Sequence, residues 1–561
     1  MQQTSLRTGS GRQACTVCGT EFAHTAEQLS LFQKFGMGSP PTQCLPCRHK
    51  HRLSFRNGRV LYRRKCDFSG ESTVSVFAPD KPYKVYRTDI WWSDQWNPLD
   101  YGRDFDFSRP FFEQFHDLQL QVPRPALANI KPENSPFCNM CEGNKNCYLI
   151  CGGDFNEDCM YGIYGMHNRN VMDCDGSNDS EYCYFMSDSF ECYGCQFAFD
   201  SKNCSNCAFI SDCTGCTECI LCTNLVQKKH CIENEELSPE EYRKQKAALL
   251  NGTYSQQQRN WEKFLAMRAK RIAKYAHILN CEDCTGDYVV NSKGCKNCFD
   301  TWDCEDLLDV ILASKTKDTF HSTCIGDDSV LCFNMQSTVD AYECSHSYLV
   351  YNSSNVEYSD HIGSSKNIFG CVGLHRNEEC IFNRQYSKEE FGKLRSKIID
   401  HMKETGEWGQ FLPKECSCFG YNESTANDYF PLTKKEALAQ GFSWYHASEE
   451  KLSVEKSIPA AKLPDAIEDI PDDILNWAVI CEKSKKPFRI IKQELNFYRT
   501  HEIPVPHLSF EERHLTRLAL RTPKELFERT CDKCGTVMQS AYAPERPETV
   551  YCEACYLSEV Y

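Results

Sequence analysis

The spacing of the cysteines constrains this chain more than any other feature of its sequence. The 561 residues include 38 cysteines, and many of these occur in Cys-x2-Cys pairs or recur at an interval of nine residues. Residues 1–13 are polar and lack the apolar segment of a secretory signal, so we expect a reducing, cytoplasmic environment. There, clustered cysteines indicate metal ligands or buried thiols rather than disulfides.

Two sets of paired cysteines, one near each end of the chain, have the spacing of four-cysteine zinc sites. Two residues between thiolates allow one tight turn to direct both sulfur atoms at one ion, and Gly19 or Gly535 supplies the positive φ that the turn requires. Neither set has a His, Asp or Glu in place of a thiolate, so no coordination position is left for a substrate. We therefore predict two structural zinc ions, with the ligands Cys15, Cys18, Cys44 and Cys47 at one end and Cys531, Cys534, Cys552 and Cys555 at the other.

Each end also carries a second, incomplete copy of such a zinc ribbon. Residues 66–86 align without gaps with residues 531–551, and residues 481–518 follow the spacing of residues 15–53. The incomplete copies keep one cysteine each, Cys66 and Cys481. We predict that tandem ribbon units lie at both ends, that each unit has one intact site, and that these two thiols are left over.

Sixteen cysteines between residues 138 and 231 recur with a period of nine, which no α-helix has. The interleaved Asn, Asp, Gly, Ser and Tyr favour short strands separated by turns, and a nonapeptide repeat indicates a β-solenoid. With two nonapeptides per coil, Cys195, Cys213 and Cys231 would stack in one column and Cys204 and Cys222 in another. A string of small zinc knuckles is the alternative.

A second copy of this region follows at an offset of 149 residues. The run Cys213-x2-Cys216-x2-Cys219-x2-Cys222 is similar to a ferredoxin motif, so an iron–sulfur or thiol redox protein is the alternative function. In the second copy, the positions that match these four cysteines are Ile362, Ser365, Ile368 and Cys371. A position that accepts Ile or Ser requires only a small or apolar side chain, and free Cys is readily buried. Buried thiols are therefore the favoured interpretation over additional metal or disulfides.

An acidic turn raises a weaker third possibility, a hydrolase on the solenoid surface. Gly326-Asp327-Asp328 is similar to the Gly-Asp-Asp of the polygalacturonase family. The sequence lacks the Asn-Thr-Asp and Gly-His-Gly of that family, and a solvated acidic turn explains the run better.

The strongest local signal for a polyanion is the stretch from Cys44 to Lys65, which has no Asp or Glu. On a rigid ribbon its basic residues could contact the phosphates of RNA or of a ribonucleoprotein. The alternative is a solvated basic face that balances a chain with a formal net charge of -15. The candidate nucleic-acid-binding residues are Arg48, Lys50, Arg52, Arg56, Arg59, Arg63 and Arg64.

Residues 14–53, with Cys-Arg-His at 47–49, resemble a small bacterial family described as a "probable zinc-ribbon" family. Nearly the whole chain, including Gly420-Tyr-Asn-Glu-Ser and the terminal Tyr-Cys-Glu-Ala-Cys, resembles large uncharacterised cysteine-rich zinc-ribbon proteins of small-genome uncultivated bacteria. The resemblance implies an architecture but carries no established activity.

Together these patterns predict a mainly β fold, in which a duplicated β-solenoid with helical connectors is flanked by tandem zinc-ribbon units. We expect a non-enzymatic zinc-binding scaffold or adaptor that contacts RNA, a ribonucleoprotein or a protein partner, with no membrane segment and no identified small-molecule substrate. The expected divisions are residues 1–55 (intact ribbon), 56–130 (degenerate ribbon and linker), 131–237 (first solenoid copy), 238–280 (helical connector), 281–386 (second solenoid copy), 387–473 (helical region and linker), 474–522 (degenerate ribbon) and 523–561 (intact ribbon).

Overall fold

A computed structural model of the chain describes residues 11–37, 40–446 and 456–560. Across these ranges the chain is mostly β-strand with some helices, and a four-cysteine group lies near each end. The chain divides into two compact units. The first consists of Met1–Leu127, Ala276–Tyr445 and Lys524–Leu526, and the second of Ala128–Tyr275, His446–Pro523 and Phe527–Tyr561. The domain boundaries expected from the sequence stay predictions.

Short hairpins and helices form the N-terminal part of the first unit. The pattern Thr25-x2-Gln28 predicts a capping box, and this box starts the first helix. The Thr25 hydroxyl accepts from the Gln28 backbone N–H at 3.1 Å, and the Gln28 side chain accepts from the Thr25 N–H. The strands here are β1 (Gln13–Ala14), β2 (Glu21–Phe22), β3 (Tyr62–Lys65), β4 (Ser72–Ser75), β5 (Val85–Tyr86) and β6 (Arg124–Pro125). The helices are α1 (Ala26–Lys34), α2 (Leu45–Leu53), α3 (Thr88–Trp91) and α4 (Phe111–Gln121).

Residues 129–236 of the second unit form a ladder of parallel strands, called here the first ladder. Each strand pairs with the segment twelve residues later, as Tyr184 with Gln196 and Ala208 with Ile220. An antiparallel hairpin closes its last edge. The strands are β7 (Asn129–Ile130), β8 (Cys141–Glu142), β9 (Met172–Asp175), β10 (Tyr184–Ser187), β11 (Gln196–Phe199), β12 (Ala208–Ser211), β13 (Thr217–Thr223), β14 (Lys229–Ile232) and β15 (Glu235–Glu236).

A repeat of three residues underlies the first ladder. Every third residue from Met140 to Glu233 has a positive φ, and the residue that follows it is buried at each step from Cys141 to Cys222. Fourteen of the sixteen cysteines of this region, all but Cys138 and Cys151, occupy the buried position of a triplet. The core of the ladder is therefore a column of thiols, interrupted by small and aliphatic side chains.

The predicted stacking of cysteines at an offset of eighteen residues is wrong. Cys219 lies opposite Cys231, twelve residues away, and Ile210 lies opposite Cys222. Four triplets separate one strand from its partner, whereas the nine-residue interval in the sequence spans three triplets. The interval of nine therefore reports which triplets carry cysteine and not where the strands stack.

Two helices follow the first ladder, and a second ladder (residues 278–385) belongs to the first unit. Most of its strands are parallel, at offsets such as the twelve residues from Phe299 to Ile311, and it also ends in an antiparallel hairpin. In order these elements are α5 (Pro239–Leu249), α6 (Tyr254–Ala269), β16 (Ile272–Lys274), β17 (Ile278–Leu279), β18 (Gly286–Val290), β19 (Cys298–Trp302), β20 (Ile311–Ser314), β21 (Thr323–Ile325), β22 (Gln336–Tyr342), β23 (Tyr348–Glu357), β24 (Asp360–Gly363), β25 (Lys366–Phe369), β26 (Glu378–Ile381) and β27 (Arg384–Gln385).

Two of the remaining helices begin at Ser387-x2-Glu390 and Thr433-x2-Glu436, patterns that predict capping boxes, and both boxes form. The remaining elements are α7 (Lys388–Glu404), α8 (Thr425–Tyr429), α9 (Lys434–Ala439), β28 (Ser457–Pro459), β29 (Ala478–Ile480), β30 (Pro487–Phe488), α10 (Lys492–Thr500), α11 (Phe510–Leu518), β31 (Phe527–Thr530), β32 (Val537–Ser540), β33 (Thr549–Tyr551) and α12 (Glu553–Val560). The described residues also include six 3-10 turns: Pro98–Tyr101, Lys414–Cys416, Tyr421–Glu423, Ala460–Lys462, Ile467–Asp469 and Asp472–Asn476. Within the described ranges, no helix combines the length and the apolar character needed to cross a bilayer.

Candidate metal centres

The first four-cysteine group gathers sulfur atoms from a turn and from a helix start. Cys15 and Cys18 flank the turn after β1, Cys44 is the N-cap of α2, and Cys47 lies in its first turn. The four sulfur atoms lie within 4.8 Å of one another. The Sγ atoms of Cys18 and Cys44 are 3.6 Å apart, close to the roughly 3.8 Å that separates sulfurs around one tetrahedral zinc.

Hydrogen bonds around this group favour thiolates, the form of cysteine that binds a cation. The backbone N–H groups of Val17 and Cys44 donate to the Cys15 sulfur at 3.4 and 3.3 Å, so they favour its thiolate form. A hydrogen bond from the thiol of Cys47, the largest effect, lowers the pKa of Cys44 to about 5. Cys15, Cys44 and Cys47 are buried, while Cys18 is exposed.

The second group, Cys531, Cys534, Cys552 and Cys555, has the same local arrangement with more exposure. Its four sulfur atoms also lie within 4.8 Å of one another, and those of Cys534 and Cys552 are 3.7 Å apart. The Cys552 N–H donates to the Cys531 sulfur at 3.2 Å. A hydrogen bond with the Thr536 hydroxyl is the largest effect that lowers the pKa of Cys534, to about 6. Cys534 is exposed and the two cysteines of α12 and its start are half-buried.

Both groups can hold a metal ion, and their donor sets limit what the ion could do. Four thiolates fill the coordination sphere of a tetrahedral ion, so no position remains for water or a substrate. Sulfur donors select soft or borderline ions such as zinc rather than calcium or magnesium. Such a centre stabilises a fold and performs no reaction.

The two incomplete ribbons keep the geometry of the first ligand but not the rest of the site. Cys66 accepts from the Arg87 N–H at 3.3 Å, and Cys481 accepts from the Ser509 N–H at 3.4 Å. These contacts match those of Cys531 and Cys15 in the intact ribbons. Among the described residues, no group of three metal ligands includes Cys66 or Cys481.

Side chains around the C-terminal ribbon and the incomplete ribbon at residues 66–86 make matching contacts. Arg64 donates to Asp67 at 2.9 Å and to the Ala78 carbonyl at 3.2 Å. Arg529, 465 positions later, donates to Asp532 at 3.3 Å and to the Ala543 carbonyl at 3.0 Å. The hairpins β3–β4 and β31–β32 also have the same register. The packing around a ribbon has therefore been kept where three of its four ligands are missing.

The predicted nucleic-acid patch is largely used for packing inside the first unit. Lys50, Arg52 and Arg56 are buried, so their burial lends no support to the predicted phosphate contacts, which stay a prediction. Arg52 donates to Thr323 and Asn334 of the second ladder at 3.1 and 3.0 Å. Lys50 donates to the Gln440 side chain, and Arg56 donates to the Ser337 hydroxyl at 2.7 Å. These three residues lie in α2 and the turn that follows it, which pack on the second ladder, so their charges face protein rather than solvent.

The other four residues of the patch are more accessible. Arg48 is half-buried and lies 3.1 Å from His321, while Arg59 pairs with Asp428 at 2.6 Å. Arg64 is held by the contacts described above, and Arg63 is exposed. For these four residues nucleic-acid contact stays a prediction, without support from their geometry.

In the second unit, α11 packs on the first ladder through buried ion pairs that the sequence did not reveal. Arg513 donates to Asp173 at 2.7 Å, and Arg517 donates to Asp173 and Asp175 at 3.1 and 2.9 Å. His514 lies 3.0 Å from Asp175. Burial alone would raise the pKa of Asp175, but Arg517 and His514 hold it well below its usual range. The only sequence signal for these ion pairs was the alignment of Arg513, His514 and Arg517 of this helix with Arg48, His49 and Arg52 of α2.

The thiols of the ladders serve a different purpose from the terminal groups. Each of Cys213, Cys216, Cys219 and Cys222 donates to backbone carbonyls two residues before and nine residues after it, at 3.3–3.7 Å. Ser189 makes the same two contacts at an equivalent position. Among the described residues, no three ladder cysteines have sulfur atoms within 4.8 Å of one another.

Comparisons with known proteins assign no family to the chain. No protein-family model matches it, and no curated protein matches it. Among solved structures, a protein described as a "putative acetyltransferase" from Desulfovibrio desulfuricans G20 aligns with 50% of this chain and 79% of its own, at 7% identity and a TM-score of 0.09. A likeness at this level carries no argument about fold or activity.

Proposed function

We propose that the chain is a non-enzymatic scaffold whose two terminal four-cysteine groups bind structural zinc. The observation that carries this proposal is the contrast between two uses of cysteine. At the ends, four sulfur atoms converge, whereas in the ladders thiols such as that of Cys213 donate to carbonyl oxygens in the same way as the hydroxyl of Ser189. Sulfur is thus a ligand at the ends and a filler in the middle.

We further propose that the two ladders are the halves of a duplicated β-solenoid and that the ends are tandem zinc ribbons. The twelve-residue register and the matched hairpins support this architecture. Solenoids of stacked repeats offer long, regular faces to partners. A ladder that is held by buried arginines and accompanied by zinc ribbons suits the binding of a macromolecule better than the catalytic conversion of a small molecule.

The partner we favour is a protein. The basic stretch that had suggested RNA is largely committed to contacts within the first unit, and the chain as a whole is acidic. An acidic protein repels phosphate backbones unless a local basic surface opposes that field. Pull-down from the native cell should recover a protein that survives RNase treatment. Loss of all partners on RNase treatment would instead assign the scaffold to RNA.

Metal analysis of the purified chain tests the role of sulfur. We expect zinc at both terminal groups, with one equivalent lost in Cys47→Ser and one in Cys555→Ser. We also expect a colourless protein, because zinc has a filled d shell. Stoichiometric iron and sulfide with visible absorbance would refute the scaffold and establish the redox alternative built on Cys213–Cys222.

A further inference from the structure

Two Cys-x2-Cys pairs lie at the start of the second ladder, outside the terminal groups. They are Cys281-x2-Cys284 and Cys295-x2-Cys298, separated by ten residues. This is the spacing of a four-thiolate site, in which each pair approaches one ion through a tight turn. The first pair follows β17, and the second pair ends at the first residue of β19.

A shortened register brings the two pairs together. Ile278 lies opposite Val289 and Glu282 opposite Lys293, an offset of eleven residues in place of twelve. At this offset Cys284 lies beside Cys295, whereas an offset of twelve would place it beside Lys296. The shorter step therefore puts sulfur next to sulfur at the edge of the ladder.

Gly286 lies where the register returns to twelve residues, opposite Cys298. Its φ is +138°, and a Cβ atom added there would lie 1.7 Å from the carbonyl oxygen of Cys298. Only a residue without a side chain allows the two backbones to approach this closely. The close approach fixes the second cysteine pair against the turn that carries the first pair.

The four thiols, called here the cysteine row, lie in neighbouring steps of the ladder. Cys281 and Cys284 belong to one step, and Cys295 and Cys298 belong to the next. Each thiol contacts a backbone carbonyl two residues before it, at 3.2–3.5 Å. Among the described residues, no three of these sulfurs lie within 4.8 Å of one another.

Solvent can reach this row, in contrast to most thiols of the ladder. Cys281 and Cys284 are half-buried, because β17 is the edge strand of its sheet. Cys332, Cys344, Cys371 and Cys380 are buried in the same ladder. Lys293 pairs with Glu282 at 3.1 Å and Lys296 pairs with Asp283, so two cations already lie beside the row.

We propose that Cys281, Cys284, Cys295 and Cys298 form a third metal site, which binds a thiophilic divalent ion of the zinc class. Binding replaces the thiol contacts to carbonyl oxygens with bonds from sulfur to the ion, and the thiol protons pass to solvent. Rotation of the half-buried side chains of Cys281 and Cys284 closes the row around the ion. This site is independent of the terminal groups, so its failure would leave the proposed scaffold intact.

Cobalt titration of the metal-free full chain under reducing conditions tests the proposal, because thiolate-bound Co(II) has a charge-transfer band that reports each filled site. We expect three equivalents for the natural chain and two for Cys281→Ser/Cys284→Ser. The matched control, Cys332→Ser/Cys344→Ser, removes two buried thiols of the same ladder and should keep three. Two equivalents in the natural chain, or three in the Cys281/Cys284 variant, would overturn the proposal.

A second measurement needs no variant and so does not depend on folding of a mutant. Iodoacetamide should alkylate Cys281 and Cys284 in the metal-free chain, and one further equivalent of Zn2+ beyond those held by the terminal groups should protect both. Peptide mass spectrometry locates the modified residues. Equal alkylation of these cysteines with and without that equivalent would show that they are free thiols.

Discussion

Removal of Arg517 tests the buried ion pairs that hold α11 on the first ladder. Arg517 has 1% of its side chain exposed and donates to both Asp173 and Asp175. The replacement Arg517→Met keeps much of the apolar volume but removes the charge and its donors. Asp173 would still be paired with Arg513, while Asp175 would keep only His514.

The expected cost follows from the burial of the carboxylates that remain. Asp173 is fully buried and Asp175 has 9% of its side chain exposed. Breaking a buried pair by removing one partner costs about 3–5 kcal/mol, because the other charge stays in a low-dielectric site. The double variant Arg517→Met/Asp175→Asn should recover part of this loss, since it removes the charge left uncompensated.

Hydrogen exchange of the peptide that covers α11 measures this cost locally, without assuming that the two units unfold together. The matched control is Arg499→Met, because Arg499 pairs with Asp472 at 2.6 Å on an exposed surface. An exposed pair contributes about 0–1 kcal/mol. Equal protection factors for the Arg517 and Arg499 variants would refute the argument that buried charge fixes this helix.

Three other predictions concern separate parts of the chain. Gly286→Ala should reduce the stability of the first unit by several kcal/mol, whereas Gly392→Ala on α7, with open space around its Cβ position, should be neutral or slightly stabilising in thermal unfolding. Burial, the largest effect, lowers the pKa of His321 from 6.5 to about 4. The first unit should therefore lose about 3 kcal/mol of stability through this residue as the pH falls from 6.5 to 4. His321→Gln should flatten that part of the pH profile of stability, and an unchanged profile would contradict the assignment. A chelator should remove zinc from the C-terminal group faster than from the N-terminal group, because Cys534 is exposed and two of its partners are half-buried, and a single release phase would argue against this difference.

Local features of the fold could be predicted from the sequence where a few adjacent residues determine the geometry. The knuckles of both terminal groups are such a case, since the turn between Cys15 and Cys18 requires only the pair and the following glycine. The capping boxes at Thr25 and Ser387 are another, because the cap and the third helical residue satisfy each other. These predictions are confirmed. The features need no long-range contact, so the local sequence is enough to determine them.

The register of the ladders could not be predicted in the same way. The positive φ at every third residue would be visible if Asn, Asp and Gly filled those positions, but Tyr182, Phe185 and Leu221 also adopt it. Their own side chains do not favour that conformation, so the stacking of neighbouring strands imposes it. The period of nine in the cysteines was therefore the stronger sequence signal, and it led to the wrong offset.

Burial of the basic stretch shows why charge in a sequence is a weak guide to partners. Arg52 and Arg517 occupy aligned positions on α2 and α11, and each donates to polar residues of a ladder in its own unit. Guanidinium groups suit this role because five donors can satisfy several acceptors at once. In both units a basic helix that begins at the aligned positions Cys44 and Ser509 thus braces a ladder, although only the first of these positions is a cysteine. Arg52 and Arg56, which suggested contact with a polyanion, help to hold the first unit together, so their replacement should impair folding before it impairs any binding.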